Sequence, residues 1–201
     1  MKGILSFAII GMGLLSGLII PSGGKAADRE AGRRKIEVCA PCHGLDGNSI
    51  APEVPSLAGQ PQLYLYNQLI QFREGRRKNP LMSPFAANLS DKDIQDIAAY
   101  FAAQKPISTQ GGEPDPQKMA AGKQASEKHR CAFCHGPGLA GRDHIPRLTG
   151  QPYAYLLKQL RGFKDQTSAD IDGSMTEAAQ SLSDEEIEAL AYYLAHLPPV
   201  P

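Results

Sequence analysis

Two five-residue stretches decide how this chain folds: CAPCH at residues 39–43 and CAFCH at residues 131–135. In each stretch two thiols stand three positions apart and a histidine follows the second thiol at once, which is the pattern for covalent attachment of a c-type haem. Two thiols at this spacing reach the two vinyl groups of one haem edge, and the adjacent histidine is carried under the ring to bind iron. The sequence therefore predicts two haem c groups, one in each half of the chain.

Other uses of the four cysteines fit this sequence less well. A thioredoxin-like dithiol needs a strand-helix-strand context, which the sequence does not show. A zinc site would combine both pairs into one four-sulfur cluster, but 88 residues separate Cys42 from Cys131. Disulfides are the usual fate of cysteines in exported proteins, yet they would not require the two histidines. The predicted attachment residues are Cys39, Cys42, His43, Cys131, Cys134 and His135.

The second half of the chain repeats the first. The segment PSLAGQP at residues 55–61 returns as PRLTGQP at residues 146–152, and LSD at residues 89–91 returns at residues 182–184. The offset differs slightly between segments, which places small insertions in loops, where duplicated domains tolerate them. The sequence therefore predicts two copies of one domain.

The sequence pattern of each copy predicts helices. Leu65, Leu69 and Phe72 have the i, i+4, i+7 spacing of an amphipathic helix, and the second copy repeats the stripe. The last helix of each copy opens on a capping box, Ser90-x-x-Asp93 in the first and residues 183–186 in the second. No alternating run of useful length indicates a strand. We predict an all-α fold.

The segment between the copies has the composition of a linker. Residues 105–116 contain three prolines and the pair Gly111-Gly112, and such residues punctuate regular structure. We therefore expect two tandem cytochrome c-like haem domains, at residues 27–104 and 117–201, joined by this linker.

The first 26 residues have the layout of a secretory signal. Lys2 supplies a positive charge, residues 4–20 form an apolar run, and Gly24 and Ala26 are small residues at the −3 and −1 positions of a cleavage site. The alternative is an uncleaved anchor, because the apolar run is long for a signal and at the lower limit for a membrane span. Either way the rest of the chain is exported. We predict the periplasm, with peripheral membrane association if the anchor is retained.

Composition limits both the core and the partners. Among 201 residues there is no tryptophan and aromatic residues make up only 6%, so a haem would supply much of the apolar bulk. The 21 basic and 21 acidic residues balance, which gives no support to nucleic-acid binding, since that function calls for a basic surface. We expect no nucleic-acid partner.

The second axial ligand decides what each iron can do. Met82 and Met175 occupy matched positions ahead of the capped final helices, whereas Met119 precedes the second motif and is interpreted as a core filler. His/Met ligation is a standard arrangement in c-type haems, so we predict Met82 and Met175 as ligands. The remaining histidines have no counterpart in the other copy and are interpreted as surface or structural groups: His129, His144 and His196.

Two prolines suggest support for the histidine ligands. Pro55 and Pro146 follow the two motif histidines by twelve and eleven residues. A backbone carbonyl there would accept the Nδ1–H of the histidine and fix its ring. An ordinary turn proline is the alternative, and the repeat does not separate the two.

Taken together, these residues resemble a known family. Two Cys-x-x-Cys-His motifs, two Gly-Gln-Pro-x-x-Tyr segments and one distal methionine per copy are similar to the dihaem cytochrome c4 family, over essentially all of the mature chain. The resemblance implies two small class I cytochrome c domains packed with their haems near each other. It implies that one haem is held by Cys39, Cys42, His43 and Met82, and the other by Cys131, Cys134, His135 and Met175.

The resemblance also implies how the helices meet. In this family the first and last helices of a domain cross where a small residue contacts an aromatic one. Gly32 with Tyr100, and Gly122 with Tyr193, match those positions.

These features favour electron transfer over catalysis. An iron with both axial positions filled changes oxidation state without a ligand change, so we predict an outer-sphere carrier that is not an enzyme. The family suggests redox protein partners: a membrane quinol-oxidising complex as donor, and a terminal oxidase or periplasmic reductase as acceptor. The alternatives are a haem-bearing subunit of a larger periplasmic oxidoreductase and a dihaem peroxidase, which would need an open iron and a longer chain.

One short basic cluster bears on the partners. Arg73, Arg76, Arg77 and Lys78 lie close together in the first copy. They are able to steer an acidic partner to the first haem. The favoured interpretation is a solvated helix end.

Overall fold

The computed structural model describes residues 26–168 and 170–200. Residues 1–25, which form nearly all of the predicted signal segment, lie outside the described residues. Within the described ranges, no helix is both long and apolar enough to cross a membrane. Extended pairing there is limited to one isolated bridge between Arg142 and Ile145. The predicted all-α fold is confirmed.

Ten α-helices follow one another in the described residues, five in each half. The first five are α1 (Arg29–Lys35), α2 (Ala40–His43), α3 (Gln62–Arg73), α4 (Ser83–Ala86) and α5 (Asp91–Ala102). The second five are α6 (Pro116–Lys128), α7 (Cys131–His135), α8 (Tyr153–Lys164), α9 (Ser174–Ala179) and α10 (Asp184–His196). The amphipathic stripes predicted around residues 65–72 and 156–163 fall on α3 and α8. Helix α6 starts at Pro116, which the sequence had assigned to the linker.

Both predicted capping boxes are present. The Ser90 hydroxyl accepts a hydrogen bond from the backbone N–H of Asp93, whose carboxylate accepts one from the backbone N–H of Ser90. Ser183 and Glu186 make the same reciprocal pair at the start of α10. Each box satisfies two backbone donors that a helix leaves unpaired at its N-terminus, so both final helices begin where the sequence predicted.

The first and last helices of each half cross at a glycine. A Cβ added to Gly32 would overlap with the backbone carbonyl of Asp96 on α5, and one added to Gly122 would overlap with the carbonyl of Ala189 on α10. Tyr100 and Tyr193 lie at the same two crossings, as the family resemblance implied. Only a residue without a side chain allows the two backbones to approach this closely.

A small apolar core lies behind each crossing. In the first half the buried cluster is Ile36, Leu65, Ile97, Ala98 and Phe101. In the second half it includes Leu139, Leu156, Leu160, Ile187, Leu190 and Leu194. The motif cysteines Cys39 and Cys131 pack against these two clusters, so each core ends at a haem-attachment motif.

An ion pair is repeated across the two crossings. Lys35 Nζ lies 2.7 Å from the Asp93 carboxylate, and Lys128 Nζ lies 2.6 Å from the Glu186 carboxylate. Lys35, followed by Ser90, lowers the pKa of Asp93 to about 2. Lys128, followed by Ser183, lowers the pKa of Glu186 to about 2. Both carboxylates thus cap one helix and bind the neighbouring one.

The two halves meet through the Gly-Gln-Pro segments. The Gln60 side chain reaches the backbone of Arg147, and the Gln151 side chain reaches the backbone of Ser56. At the edge of this interface, Lys158 Nζ pairs with the Glu53 carboxylate at 2.9 Å. Because the repeated segments face each other, the interface has approximate two-fold symmetry.

The Gly32→Ala substitution tests the helix crossing. We expect the free energy of unfolding of the haem-loaded protein to fall by about 1–3 kcal/mol, because the added methyl group forces the two helix backbones apart. The higher helix propensity of alanine, worth roughly 1 kcal/mol, does not offset this cost. Denaturant unfolding followed by far-UV circular dichroism measures this. Gly111→Ala is the control, since nothing lies within 4 Å of its added Cβ. Equal stability of the two variants would contradict the packing described.

The capping carboxylates predict an acid-labile component of stability. Because the pKa of Glu186 is lower in the folded state than in the unfolded chain, its contribution is present above about pH 4.5 and is lost as pH falls towards 2. Glu186→Gln should be less stable at pH 7 and should show a shallower fall in stability over that window, measured by urea unfolding at several pH values. Glu113→Gln, in the linker, controls for the loss of one charge; an identical pH profile in both variants would contradict the assignment.

Candidate haem-binding sites

Each Cys-x-x-Cys-His motif forms a short helix that ends on its histidine. His43 is the last residue of α2 and His135 the last of α7. Glycine follows in both cases, with φ of 78° at Gly44 and 77° at Gly136, a conformation that ends a helix and favours glycine. The glycine turns the chain away directly after the histidine, so the ring stays beside the two thiols.

None of the four motif cysteines forms a disulfide. Cys39 and Cys131 are half-buried, and Cys42 and Cys134 are exposed. Burial, with the neighbouring Cys42, raises the pKa of Cys39 to about 11, and burial likewise raises the pKa of Cys131. Cysteines that are not paired as disulfides remain available to form thioethers with haem.

The two histidines are buried and held by a proline carbonyl. His43 Nδ1 lies 2.9 Å from the carbonyl oxygen of Pro55, and His135 Nδ1 lies 2.8 Å from that of Pro146. A carbonyl oxygen only accepts, so Nδ1 carries the proton and donates it. Nε2 then keeps its lone pair and is able to bind a metal. The hydrogen bond suggested by the sequence is confirmed, and the prolines are more than turn residues.

The surroundings also favour the neutral form of both histidines. Burial lowers the pKa of His43 and of His135, against the opposing effect of the proline carbonyl. A histidine that stays unprotonated near neutral pH is competent as an iron ligand, because protonation would occupy the nitrogen that binds.

The two methionines are half-buried and anchored through their backbones. The backbone N–H of Met82 donates to Asn79 Oδ1 at 2.9 Å, and that of Met175 donates to Asp170 Oδ2 at 2.6 Å. Met82 directly precedes α4, whereas Met175 lies in the first turn of α9 and packs against the same core as Cys131. A polar side chain thus fixes each methionine in a short helical segment.

The remaining histidines have partners within the protein. His129 Nε2 lies 3.1 Å from the Glu186 carboxylate, and His144 Nε2 lies 3.7 Å from that of Asp172. His196 Nδ1 lies 2.8 Å from the carbonyl oxygen of Tyr192. These contacts fit the surface or structural roles predicted for them.

The basic cluster of the first half is largely occupied by internal contacts. Arg73 pairs with Asp91 at 2.7 Å, and Arg76 pairs with Glu74 at 2.6 Å. Arg77 stacks over the Phe72 ring and donates to Gln159 of the second half. Arg77 is thus an interdomain contact, which neither the steering nor the helix-end interpretation had foreseen, because its partner lies 82 residues away.

Two further observations fit a large apolar group that bears carboxylates. Leu81, beside Met82, is 79% exposed, and other large apolar side chains near the candidate ligands in the sequence are exposed as well: Leu45, Ile50, Phe85, Phe133 and Ile171. The buried guanidinium of Arg147 forms no ion pair with the described residues, and its Nε has no hydrogen-bond partner among them. Haem has apolar faces and two propionates, so the residues present fit it.

Sequence reasoning missed the roles of three residues in the interface. Gln60 and Gln151 were visible as part of the repeat but were given no function. Arg147 replaces Ser56 of the first copy, and its burial could not be read from one chain. A polar residue repeated at the same place in both copies was the available signal.

Comparison with protein families divides the chain as the repeat does. Residues 119–198 match the family described as cytochrome c. Residues 26–101 match the family described as cytochrome c oxidase, cbb3-type, subunit III. Two cytochrome c domains in one chain agree with the two motifs described above, and the chain carries two covalently bound haem c groups.

Similar proteins cover most of the chain. A cytochrome c4 of Pseudomonas aeruginosa is 40% identical over 184 residues, covering 86% of this chain and 90% of the relative. A thiosulfate dehydrogenase electron acceptor of Thiomonas intermedia is 36% identical, covering 80% of this chain and 78% of that protein. The crystal structure of reduced cytochrome c4 from Pseudomonas stutzeri aligns with a TM-score of 0.76 at 38% identity, over 86% of this chain and all of that one. The chain belongs to the cytochrome c4 family of electron-transfer proteins.

Proposed function

We propose that this protein is a periplasmic dihaem carrier that shuttles electrons between respiratory complexes by outer-sphere transfer, with His43 and Met82 as axial ligands of one haem and His135 and Met175 of the other. The observation that carries the proposal is the repeated hydrogen bond from each motif histidine to a proline carbonyl. It leaves both Nε2 atoms free to bind iron. The proposal keeps the two haem domains at residues 27–104 and 117–201.

The motif residues hold and orient the cofactor. Cys39 and Cys42 attach the first haem, and Cys131 and Cys134 the second, through thioether bonds. When bound, haem c supplies a one-electron couple at its iron. The histidine donates its Nδ1–H to a buried carbonyl, which makes the imidazole a more basic ligand and fixes its ring.

Met82 and Met175 would supply the second protein ligand of each iron. A thioether is a weak, soft ligand that favours ferrous iron, so it raises the reduction potential. Because Asn79 and Asp170 hold the backbones of Met82 and Met175, the loops around the two ligands are ordered before an electron arrives. Small ligand motion between the two oxidation states means a small reorganisation energy, which suits a carrier rather than an enzyme.

The comparisons support redox proteins as partners. One relative is named as the electron acceptor of thiosulfate dehydrogenase, and that name supports a redox protein as the donor of this chain. For this protein we propose a membrane quinol-oxidising complex as donor and a terminal oxidase or periplasmic reductase as acceptor, with peripheral membrane association if the N-terminal segment is retained. Two members of the basic cluster, Arg77 and Lys78, form no ion pair among the described residues, and Arg77 is engaged with Phe72 and Gln159. Little charge therefore remains there for steering.

Haem content and ligand binding test the closed-carrier proposal. We expect two covalent haems per chain, a weak far-red band of methionine-bound ferric haem at the strength of two sites, and no spectral shift when carbon monoxide is added to the reduced protein. Pyridine haemochrome assay and visible spectroscopy measure these. Carbon monoxide binding to the native protein would show an open iron and would favour the peroxidase alternative.

Single substitutions assign each methionine to its haem. Met82→Ala and Met175→Ala should each remove about half of the far-red band and allow one carbon monoxide to bind, because the ligand is lost from one iron only. Met119→Leu is the control and should change neither signal, since Met119 lies on α6 ahead of the second motif. A full band in either alanine variant would exclude that methionine as a ligand.

The second candidate function is a haem-bearing subunit of a larger periplasmic oxidoreductase. The relative named after thiosulfate dehydrogenase favours it, because that name ties a similar chain to one enzyme. Size-exclusion chromatography of the protein from its native host distinguishes the two. A stable, stoichiometric complex with one enzyme would support the subunit, whereas a separate haem protein of about its own mass would support the carrier.

A further inference from the structure

The peptide groups that hold the two motif histidines are also the groups that join the two domains. The carbonyl of Pro55 accepts from His43, and the N–H of the same peptide unit belongs to Ser56. That N–H donates to Gln151 Oε1 of the second half at 2.8 Å. One peptide unit therefore lies between a haem ligand of one domain and a glutamine of the other.

The second half repeats this arrangement in reverse. The carbonyl of Pro146 accepts from His135, and the N–H of Arg147, in the same peptide unit, donates to Gln60 Oε1 at 2.9 Å. Each glutamine also donates its Nε2–H to the carbonyl of the residue it binds, Gln60 to Arg147 at 3.0 Å and Gln151 to Ser56 at 2.8 Å. The four hydrogen bonds form two reciprocal clamps.

Both clamps are shielded from water. Gln60 and Gln151 are each 3% exposed, and Ser56 and Arg147 are each 1% exposed. In a region of low dielectric constant hydrogen bonds polarise one another, and an amide whose N–H donates becomes a better acceptor at its carbonyl. The glutamine of one domain thus strengthens the acceptor that the histidine of the other domain uses.

We propose that Gln60 and Gln151 are crossed positioning residues, each of which tunes, from its own domain, the hydrogen bond that orients the motif histidine of the other domain. The inference rests on the proposed axial role of His43 and His135. Among the described residues neither glutamine forms a hydrogen bond with a candidate haem ligand; each acts through one peptide unit. The consequence is that the reduction potential of each haem depends on the docking of the opposite domain.

The Gln151→Met variant tests this link. Methionine has nearly the same length as glutamine. Its thioether is a much weaker acceptor for the Ser56 N–H, and it has no donor for the Ser56 carbonyl. The weaker Pro55 acceptor makes His43 a less basic ligand, so the ferrous form of the first haem becomes more stable relative to the ferric form. At a fixed applied potential we expect its ferrous-to-ferric ratio to rise on the order of twofold, with the second haem unchanged. Gln60→Met should give the mirror result.

The two haems are read separately in the full-length, haem-loaded protein. A redox titration followed by proton NMR gives one midpoint potential per haem from its methyl resonances, which Met82→Ala and Met175→Ala assign to their domains. Gln159→Met is the matched control, because it removes an interdomain hydrogen bond from Arg77, at 3.2 Å, and touches neither histidine-holding peptide. It should shift neither potential by a comparable amount.

The outcomes separate a tuning role from a merely structural one. A crossed shift, each glutamine variant changing the haem of the opposite domain, supports the proposal. A shift confined to the variant's own domain, an equal shift of both haems, the same shift in Gln159→Met, or no shift overturns it. If Gln151→Met does not accumulate as holoprotein, Gln151→Asn, too short to make both bonds, should give the same crossed shift. If the crossed shift is absent but the variants still show the spectra of His/Met ligation, the tuning role is wrong and the proposed function is unaffected.

Discussion

The hydrogen bond from His43 Nδ1 to the carbonyl of Pro55, with its copy from His135 to Pro146, is the constraint on which the rest of the structure depends. It fixes the tautomer and direction of each ring, so that Nε2 is the nitrogen left to bind iron. It also ties the motif helix to a distant loop. Because that loop continues into the Gly-Gln-Pro segment, the same peptide that supports the histidine forms the contact between domains.

The rest of each domain holds this loop and motif in place. The crossing of α1 with α5, and of α6 with α10, brings two backbones together at Gly32 and Gly122. The capping boxes define where α5 and α10 begin, and their carboxylates bind the lysines of the crossing helices. A small core then suffices, since the haem itself is expected to complete it. Both halves share the glycine crossing and the capping-box ion pair, as expected of a duplicated chain.

The two copies differ where they face each other. Ser56 of the first copy corresponds to Arg147 of the second, and the Arg147 guanidinium donates to the carbonyl of Ala58 across the interface at 2.8 Å. Burial lowers its pKa to about 10, which reflects the cost of a cation without a carboxylate among the described residues. A propionate would offset that cost. The interface is therefore symmetric in its backbone contacts and asymmetric in its charge.

The sequence alone was sufficient for the features that depend on local pattern. The Cys-x-x-Cys-His motifs, the repeat, the capping boxes and the helical stripes predicted the all-α fold, the two haems and the helix starts at Asp91 and Asp184, because each is set by neighbouring residues. The crossing at Gly32 came from family likeness. Tertiary structure alone decided the buried state of Arg147, the interdomain place of Arg77 and the crossed contacts of Gln60 and Gln151. Those depend on which surfaces of the two copies meet, and contacts between residues 80 to 95 positions apart leave no periodic signal in a single chain.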